Sequence, residues 1–323
     1  MIADDNAKTT PSDDDATKRP QPSRAKRPTV GKPKSGAKSV DPRRNLFRPD
    51  LAASVLEGRV NAREFVDGKP AQVQRASVPV RLRPEPLCGL ETEVLFGDIV
   101  TVYEQKNGWS WVQLNRDHYV GYIPSETLSS QIVHATHRIK SIGTFVYPSP
   151  TIKTPPMAHL SINTQIGVAD MNEEFCKLET GGFVVSRHVA PLDRFAKDYV
   201  EVAERFIGTP YLWGGRTRVG IDCSGLVQVA LEAAGFKPPR DTDMQQNEVG
   251  SSVLVPDDLE GLRRGDLIFW KGHVGIMVDG IMMLHANGYH MSTVIETLPE
   301  AAARMARVAG PIIAIKRLES LRA

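Results

Sequence analysis

Three residues in this chain could together carry nucleophilic chemistry: Cys223, His273 and His285. Cys223 stands between Asp222 and Ser224. It follows the glycine-rich lead-in Gly208-Thr-Pro-Tyr-Leu-Trp-Gly-Gly-Arg216 and precedes an apolar stripe of Leu226, Val227, Ala230, Leu231 and Ala234. That spacing predicts one face of an amphipathic helix, ended by Gly235 in a left-handed conformation and kept from continuing by Pro238-Pro239. The thiol then lies at the helix entry, where unpaired N–H groups and the helix dipole favour a thiolate. A cysteine kept for packing more usually lies inside the stripe.

A thiolate nucleophile needs a base, and the base needs a group to orient it. His273 and His285 flank two apolar runs joined by Asp279-Gly280, a strong hairpin signal. The turn length decides whether they can cooperate. A two-residue turn pairs Val278 with Ile281 and sends the two imidazoles to opposite faces. A three-residue turn, 279 to 281, pairs Val278 with Met282 and places both on one face as a diagonal pair. Cooperation therefore requires an odd loop or a bulge.

The pieces Tyr211-Leu-Trp-Gly-Gly, Asp222-Cys223-Ser224-Gly225, Pro239-Arg240-Asp241, Gly265-Asp266-Leu267, His273-Val274-Gly275-Ile276 and Leu284-His285-Ala286 occur in that order. In this, roughly residues 194 to 316 resemble the NlpC/p60 cysteine peptidases. The resemblance implies a reduced papain-like α+β core with the cysteine helix packed on an antiparallel sheet. It also implies Cys223 as nucleophile, His273 as base, His285 as orienting group and Tyr211 beside the oxyanion. The thiolate would attack an amide carbonyl, and His273 would protonate the leaving amine. No metal or organic cofactor is expected, and no His/Cys cluster has zinc spacing.

The same resemblance implies a substrate. Family members mostly cut peptidoglycan stem peptides after γ-D-glutamate. The layout is similar to that of γ-D-glutamyl-L-diamino acid endopeptidases of the dipeptidyl-peptidase VI kind, which select a free N-terminal L-Ala. On that analogy Asp222, Ser224, Arg240, Asp241 and Thr242 lie along the L-Ala-γ-D-Glu portion, while Tyr119 and Asp98 cap the amine. An exported hydrolase of intact cell wall is one alternative; a non-catalytic binding protein with a decayed peptidase is another.

The remaining elements must position this site. Residues 1–45 hold eleven Lys/Arg, six Asp/Glu, six prolines and no aromatic residue, and are expected to be a disordered basic tail. Residues 46–72 read as a helical lead-in, with a short helix from Asp50 to Gly58. Between 73 and 131, short strands near 79–84, 92–98, 99–103, 108–114 and 119–124 are broken by Gly, Pro and Asn, which argues for a small barrel. Their order resembles a bacterial SH3 (SH3b) domain. Residues 132–193 repeat the plan loosely and read as a second, divergent SH3b barrel. Residues 194–323 form the peptidase domain, opening with a helix from Asp193 to Ile207. In it, strands are expected at 266–270, 274–278, 281–284 and 312–316, and a helix at 301–308. The fold class is thus α+β: two SH3-like barrels followed by a papain-like domain.

Three cysteines, Cys88, Cys176 and Cys223, are too few and too uneven for a disulfide framework and suit a reducing compartment. Cys88 and Cys176 are expected to be small buried side chains. The other histidines lack comparable surroundings; His290, near the same rim, is the rival to His285. No apolar run of signal-peptide length follows the first Met, and nothing approaches about 18 apolar residues. The expectation is a cytoplasmic enzyme of peptidoglycan-derived peptides, without nucleic-acid, membrane or obligate protein partners.

Overall fold

The structure, a computed structural model, describes residues 40–254 and 259–319; the basic tail through residue 39 lies outside them. Residues 40–45, expected to belong to that tail, are instead anchored. Asp41 accepts from the backbone N–H groups of Arg43, Arg44 and Asn45, and Val120 N–H donates to Arg43 O at 2.8 Å. Leu46 and Phe47 are buried with Trp111 and Val120. The helix expected from Asp50 is not there. Leu51–Ala53 is a strand, all three residues buried, running parallel to Glu64–Val66, and a 3-10 turn follows at Ser54–Leu56. Burial of Leu51, Ala52 and Ala53 together overrides their helix propensity.

The first β unit is a seven-stranded sheet. Its spatial order is Leu90–Leu95, Ser77–Arg81, Val120–Pro124, Trp109–Leu114, Ile99–Lys106, Lys69–Val73 and Leu128–Ser129. Val94 near one edge and Val73 near the other share one core with Val78, Val112 and Ile123, so the sheet folds over on itself. Residues 132–193 form three small antiparallel sheets around Ile139, Val146, Leu160, Cys176, Leu178 and Val184. Cys88 and Cys176 are both buried and free, as expected.

The third unit is helices against a six-stranded sheet of order Ser251–Val253, Ala314–Arg317, Leu267–Trp270, His273–Met277, Met282–Asn287 and Ser292–Thr297. Every ladder in it is antiparallel. The first helix, α1 (Tyr199–Glu204), is shorter than the expected span because Asp198 caps it: its carboxylate accepts from Val200 N–H. Helix α2 (Cys223–Ala233) ends with Gly235 at φ 91°, as its sequence requires. Helix α3 is Thr242–Glu248, and α4, Leu298–Ala306, begins three residues before the expected span because Thr297 caps it. Two cores sandwich the sheet. Val274, Ile276, Leu284 and Ala286 pack under α2, while Trp270, Met277, Met283 and Leu298 pack on the α4 side. Among the described residues no helix is long and apolar enough to cross a membrane.

Polar ties fix the first β unit against this domain. Arg216 N–H donates to Glu93 at 2.8 Å, Arg240 Nε to Thr92 at 3.0 Å, and Gln228 Nε2 to Asp117 at 2.9 Å. Gly214, at φ 78°, lies where a Cβ would stand 2.7 Å from Leu90 O, so only glycine permits this approach.

Candidate active site

Helix α2 begins at the thiol, and Asp222 is its N-cap. Asp222 Oδ1 accepts from Gly225 N–H at 2.7 Å and from the Ser224 hydroxyl at 3.3 Å; Oδ2 accepts from Gly214 N–H at 2.7 Å and Arg240 Nη2 at 2.8 Å. The four acceptor positions of the carboxylate are thus committed. Arg240, 1% exposed, also donates to Ser224 Oγ at 2.7 Å and to Gly215 O. Asp222, Ser224 and Arg240 are buried and bonded to one another at the helix entry.

The hairpin resolves the choice left open by the turn. Met277 pairs with Met283 and Ile276 with Leu284, and Val278 N–H donates to Met282 O at 2.8 Å. The loop is therefore three residues long, and Asp279 holds it by accepting from Ile281 and Met282 N–H, both at 2.7 Å. His273 and His285 share a face, with Nε2 of the first 2.8 Å from Nδ1 of the second. Beyond Ile276–Leu284 the ladder opens, and there the Val274 N–H and the Thr242 hydroxyl lie close enough to the Cys223 thiol to pull its pKa down. The sulfur thus meets the strand one residue along from His273.

Electrostatics departs from the sequence expectation. Burial, then the Asp222 carboxylate, push the Cys223 thiol up to about 11, against the opposing pull of the Val274 N–H, Arg240 and Thr242. Burial, then His285, push the His273 imidazole down to about 3. Desolvation opposes the pull of the helix N-terminus. Burial thus works against a preformed thiolate–imidazolium pair at both groups. Tyr211, half-buried, has its hydroxyl pKa raised by burial and then by the Cys223 and Asp222 charges, which places it beside the thiol.

Behind His285 stands a group that the sequence reading missed. Glu296 Oε1 lies 2.6 Å from His285 Nε2 and is also gripped by Arg304 from α4. Its strand, Ser292–Thr297, was not anticipated, although Thr293-Val294-Ile295 is a β-branched run. His290 is exposed and bound to Asn287 Oδ1, so it is no rival to the buried His285. His285, His290 and Glu296 bring one donor atom each within 4.8 Å of one another. The Arg304 guanidinium on the same carboxylate opposes a cation there.

A second cluster forms where the first β unit meets α3. The Tyr119 hydroxyl lies 3.3 Å from Glu91 Oε2 and 3.2 Å from Asp241 Oδ2. Asp241 is the N-cap residue of α3, yet its side chain makes no cap bond and turns to Tyr119 and Arg43 instead. Asp98, expected to share this end, is elsewhere: it accepts from Leu95 N–H at 2.9 Å and Arg116 Nη1 at 2.8 Å, fixing the turn after the first strand pair. Glu91, one methylene longer, occupies the place foreseen for it. Trp213 is 57% exposed.

A thiol at a helix entry, beside a buried histidine pair and under a half-buried tyrosine, defines a cysteine peptidase. The NlpC/P60 family pattern matches residues 208–306, and the bacterial dipeptidyl-peptidase Sh3 domain matches residues 80–128. The chain is 30% identical over 232 residues to the γ-D-glutamyl-L-lysine dipeptidyl-peptidase of Bacillus subtilis (strain 168), covering 65% of this chain and 77% of that one. It is 26% identical over 254 residues to dipeptidyl-peptidase 6 of Lysinibacillus sphaericus, covering 75% and 84%. An NlpC/P60 family protein from Bacillus cereus ATCC 10987 shares the fold, with a TM-score of 0.63 at 20% identity over 77% of this chain and 99% of that one. The chain belongs to the NlpC/P60 family of cysteine peptidases.

Proposed function

We propose that the enzyme hydrolyses the γ-D-glutamyl–L-diamino acid bond of peptidoglycan stem peptides that carry a free N-terminal L-Ala. The convergence of Glu91, Tyr119 and Asp241 carries this reading. Two carboxylates converge on one hydroxyl, and the Arg43 guanidinium already bonds one of them, so the surroundings are acidic and suit positive charge. An α-ammonium seated there extends its peptide toward the thiol at the other end of the groove. The relatives named as γ-D-glutamyl-L-lysine dipeptidyl-peptidases support the bond class. On the same reading the first two β units are SH3-like barrels, the first forming the closed end of the groove. The expected setting is cytoplasmic recycling of released muropeptides.

The chemistry follows from the resting charges. As Cys223 Sγ attacks the γ-glutamyl carbonyl, its proton passes to His273, so the ion pair forms along the reaction rather than before it. The Cys223 N–H and the Tyr211 hydroxyl receive the oxyanion. The imidazolium returns its proton to the leaving diamino acid nitrogen, and water then cleaves the thioester, with His273 again as base. Incubation with L-Ala-γ-D-Glu-L-Lys and its diaminopimelate counterpart, each with and without an N-acetyl group, tests the proposal by mass spectrometry. Release of L-Ala-γ-D-Glu from the free peptides alone is the expected result; equal cleavage of the acetylated peptides removes the closed-end reading.

A further inference from the structure

Nothing in the triad itself decides which nitrogen of His273 carries the proton, and the reaction depends on that choice. His273 uses Nε2 toward His285, which leaves Nδ1 as the ring nitrogen available to the thiol. For Nδ1 to act as a base it must be bare, so Nε2 must hold the hydrogen and His285 Nδ1 must accept it. His285 must then carry its own hydrogen on Nε2.

Two groups compete for that Nε2. Asn287 Nδ2 lies 2.9 Å away, and its amide is oriented by Oδ1, which accepts from His290 N–H at 2.8 Å. Left alone, Asn287 would donate to a bare Nε2 and reverse the whole chain. Glu296 Oε1 lies closer, at 2.6 Å. An ionised carboxylate only accepts, so a bare Nε2 would set two lone pairs against each other at that distance. A charge-assisted bond outweighs a neutral amide bond, and the carboxylate wins. Glu296 stays ionised because its bonds from His285 and Arg304 hold its pKa down to about 2, although burial alone would raise it. Arg304 in turn lies 4.5 Å from the Tyr289 ring centroid, which fixes the clamp from α4.

We infer that Glu296, clamped by Arg304, is a positioning residue that polarises the relay Glu296–His285–His273 and so keeps His273 Nδ1 bare for the Cys223 thiol. The charged and titratable groups acting on the relay are His290 from the loop after the His285 strand and Arg304 from α4, with Cys223 of α2 as the group it serves. None of the other three is an acceptor-only group beside His285 Nε2. The carboxylate alone sets the direction.

Histidine side-chain ¹H–¹⁵N NMR on the full chain reads the tautomers without any substrate, so this test stands or falls separately from the substrate proposed above. The wild type is expected to show His273 and His285 both as Nε2–H tautomers. In Glu296→Gln the side chain can donate as well as accept, Asn287 is unopposed, and a substantial Nδ1–H fraction appears at both rings. In the peptide assay its kcat falls at least about tenfold, with KM within about twofold. Glu296→Asp, still acceptor-only, keeps the wild-type tautomers and recovers part of kcat. Wild-type rings found as Nδ1–H, unchanged tautomers in Glu296→Gln, or equal kcat losses in the Gln and Asp variants would each overturn the inference. If Glu296→Gln does not fold, Arg304→Gln takes its place: freeing the carboxylate from its clamp must leave the tautomers intact while lowering kcat, and reversed tautomers there refute the assignment.

Discussion

Arg43 Nη1 lies 2.8 Å from Asp241 Oδ2, joining the chain's N-terminal segment to the cap residue of α3 across 198 positions of sequence. The guanidinium also bonds Asp243, at 2.7 and 2.8 Å, and Asp41. Arg44 adds a bond to Glu248 at the other end of α3. The segment is a strap that ties α3 to the first β unit, so the position of Asp241 depends on residues far outside the peptidase domain. Arg43→Ala is expected to cost about 1–3 kcal/mol of stability, measured by denaturant unfolding, and to raise KM more than it lowers kcat. Because Asp243 is largely exposed, the stability loss should shrink in high salt. A variant with wild-type stability and KM would show that the strap is incidental.

Cys223→Ala should abolish hydrolysis and leave the thermal melt within about 1 kcal/mol of wild type, since the cap bonds of Asp222 do not involve the sulfur. His273→Ala should cost more in kcat than His285→Ala, because losing the base exceeds losing its support. The reverse order in steady-state kinetics would exchange the two roles.

Burial that holds both the thiol and the imidazole toward their neutral forms has consequences that a preformed ion pair would not. Alkylation of Cys223 by iodoacetamide should be slow at neutral pH and rise with an apparent pKa above that of a free thiol, toward about 11. A rate plateau below pH 8 would restore the thiolate. For stability, His273 is held neutral in the fold to about 3 against an ordinary 6.5. The unfolded chain therefore binds a proton that the native one refuses, and stability falls as pH drops from about 6.5 toward 3. Cys223 acts in the opposite direction: its raised pKa gives stability that is present below about 9 and lost toward about 11. His273→Gln should flatten the acid side of the profile, and Cys223→Ala the alkaline side.

Arg240→Ala should be the most damaging change away from the chemistry. It removes a guanidinium that is 1% exposed and bonded to Asp222, Ser224, Gly215 and Thr92, leaving a buried carboxylate short of its cation. A loss of about 3–5 kcal/mol is expected from chemical denaturation. Arg240→Lys should recover little, since an ammonium cannot reproduce the fork.

The parts of this site that the sequence makes legible are those set by near neighbours. The stripe after Cys223 and the glycine at 235 dictate a helix that starts at the thiol, and the hairpin confines the histidine pair to two registers. What escaped depends on distant contacts. Glu296 meets His285 only because its strand pairs Met283 with Glu296, a cross-strand diagonal that no local pattern announces. Glu91 was passed over for Asp98 because the approach of the first β unit to α3 decides which acid faces the groove. The burial that opposes a thiolate at Cys223 escaped for the same reason. The helix entry is visible in sequence, whereas burial, which dominates, is a property of the whole fold.

The cluster of Glu91, Tyr119 and Asp241 offers the sharpest test of the proposed substrate. Glu91, Tyr119 and Asp241 belong to two separate units, so the cluster exists only while the first β unit is docked by Glu93, Thr92 and Asp117. An ammonium entering it leaves water for two carboxylates and a hydroxyl; an N-acetyl group brings no charge and more bulk. Free tripeptide should therefore be preferred over its N-acetylated form by at least about a hundredfold in kcat/KM. Glu91→Gln should lower kcat/KM for the free peptide by about 10- to 100-fold, the worth of one charge-assisted bond, without changing turnover of the acetylated one. Tyr119→Ala should erode the preference more than it erodes kcat. If both variants slow the two substrates equally, the cluster is a structural joint between units and the amine is read elsewhere.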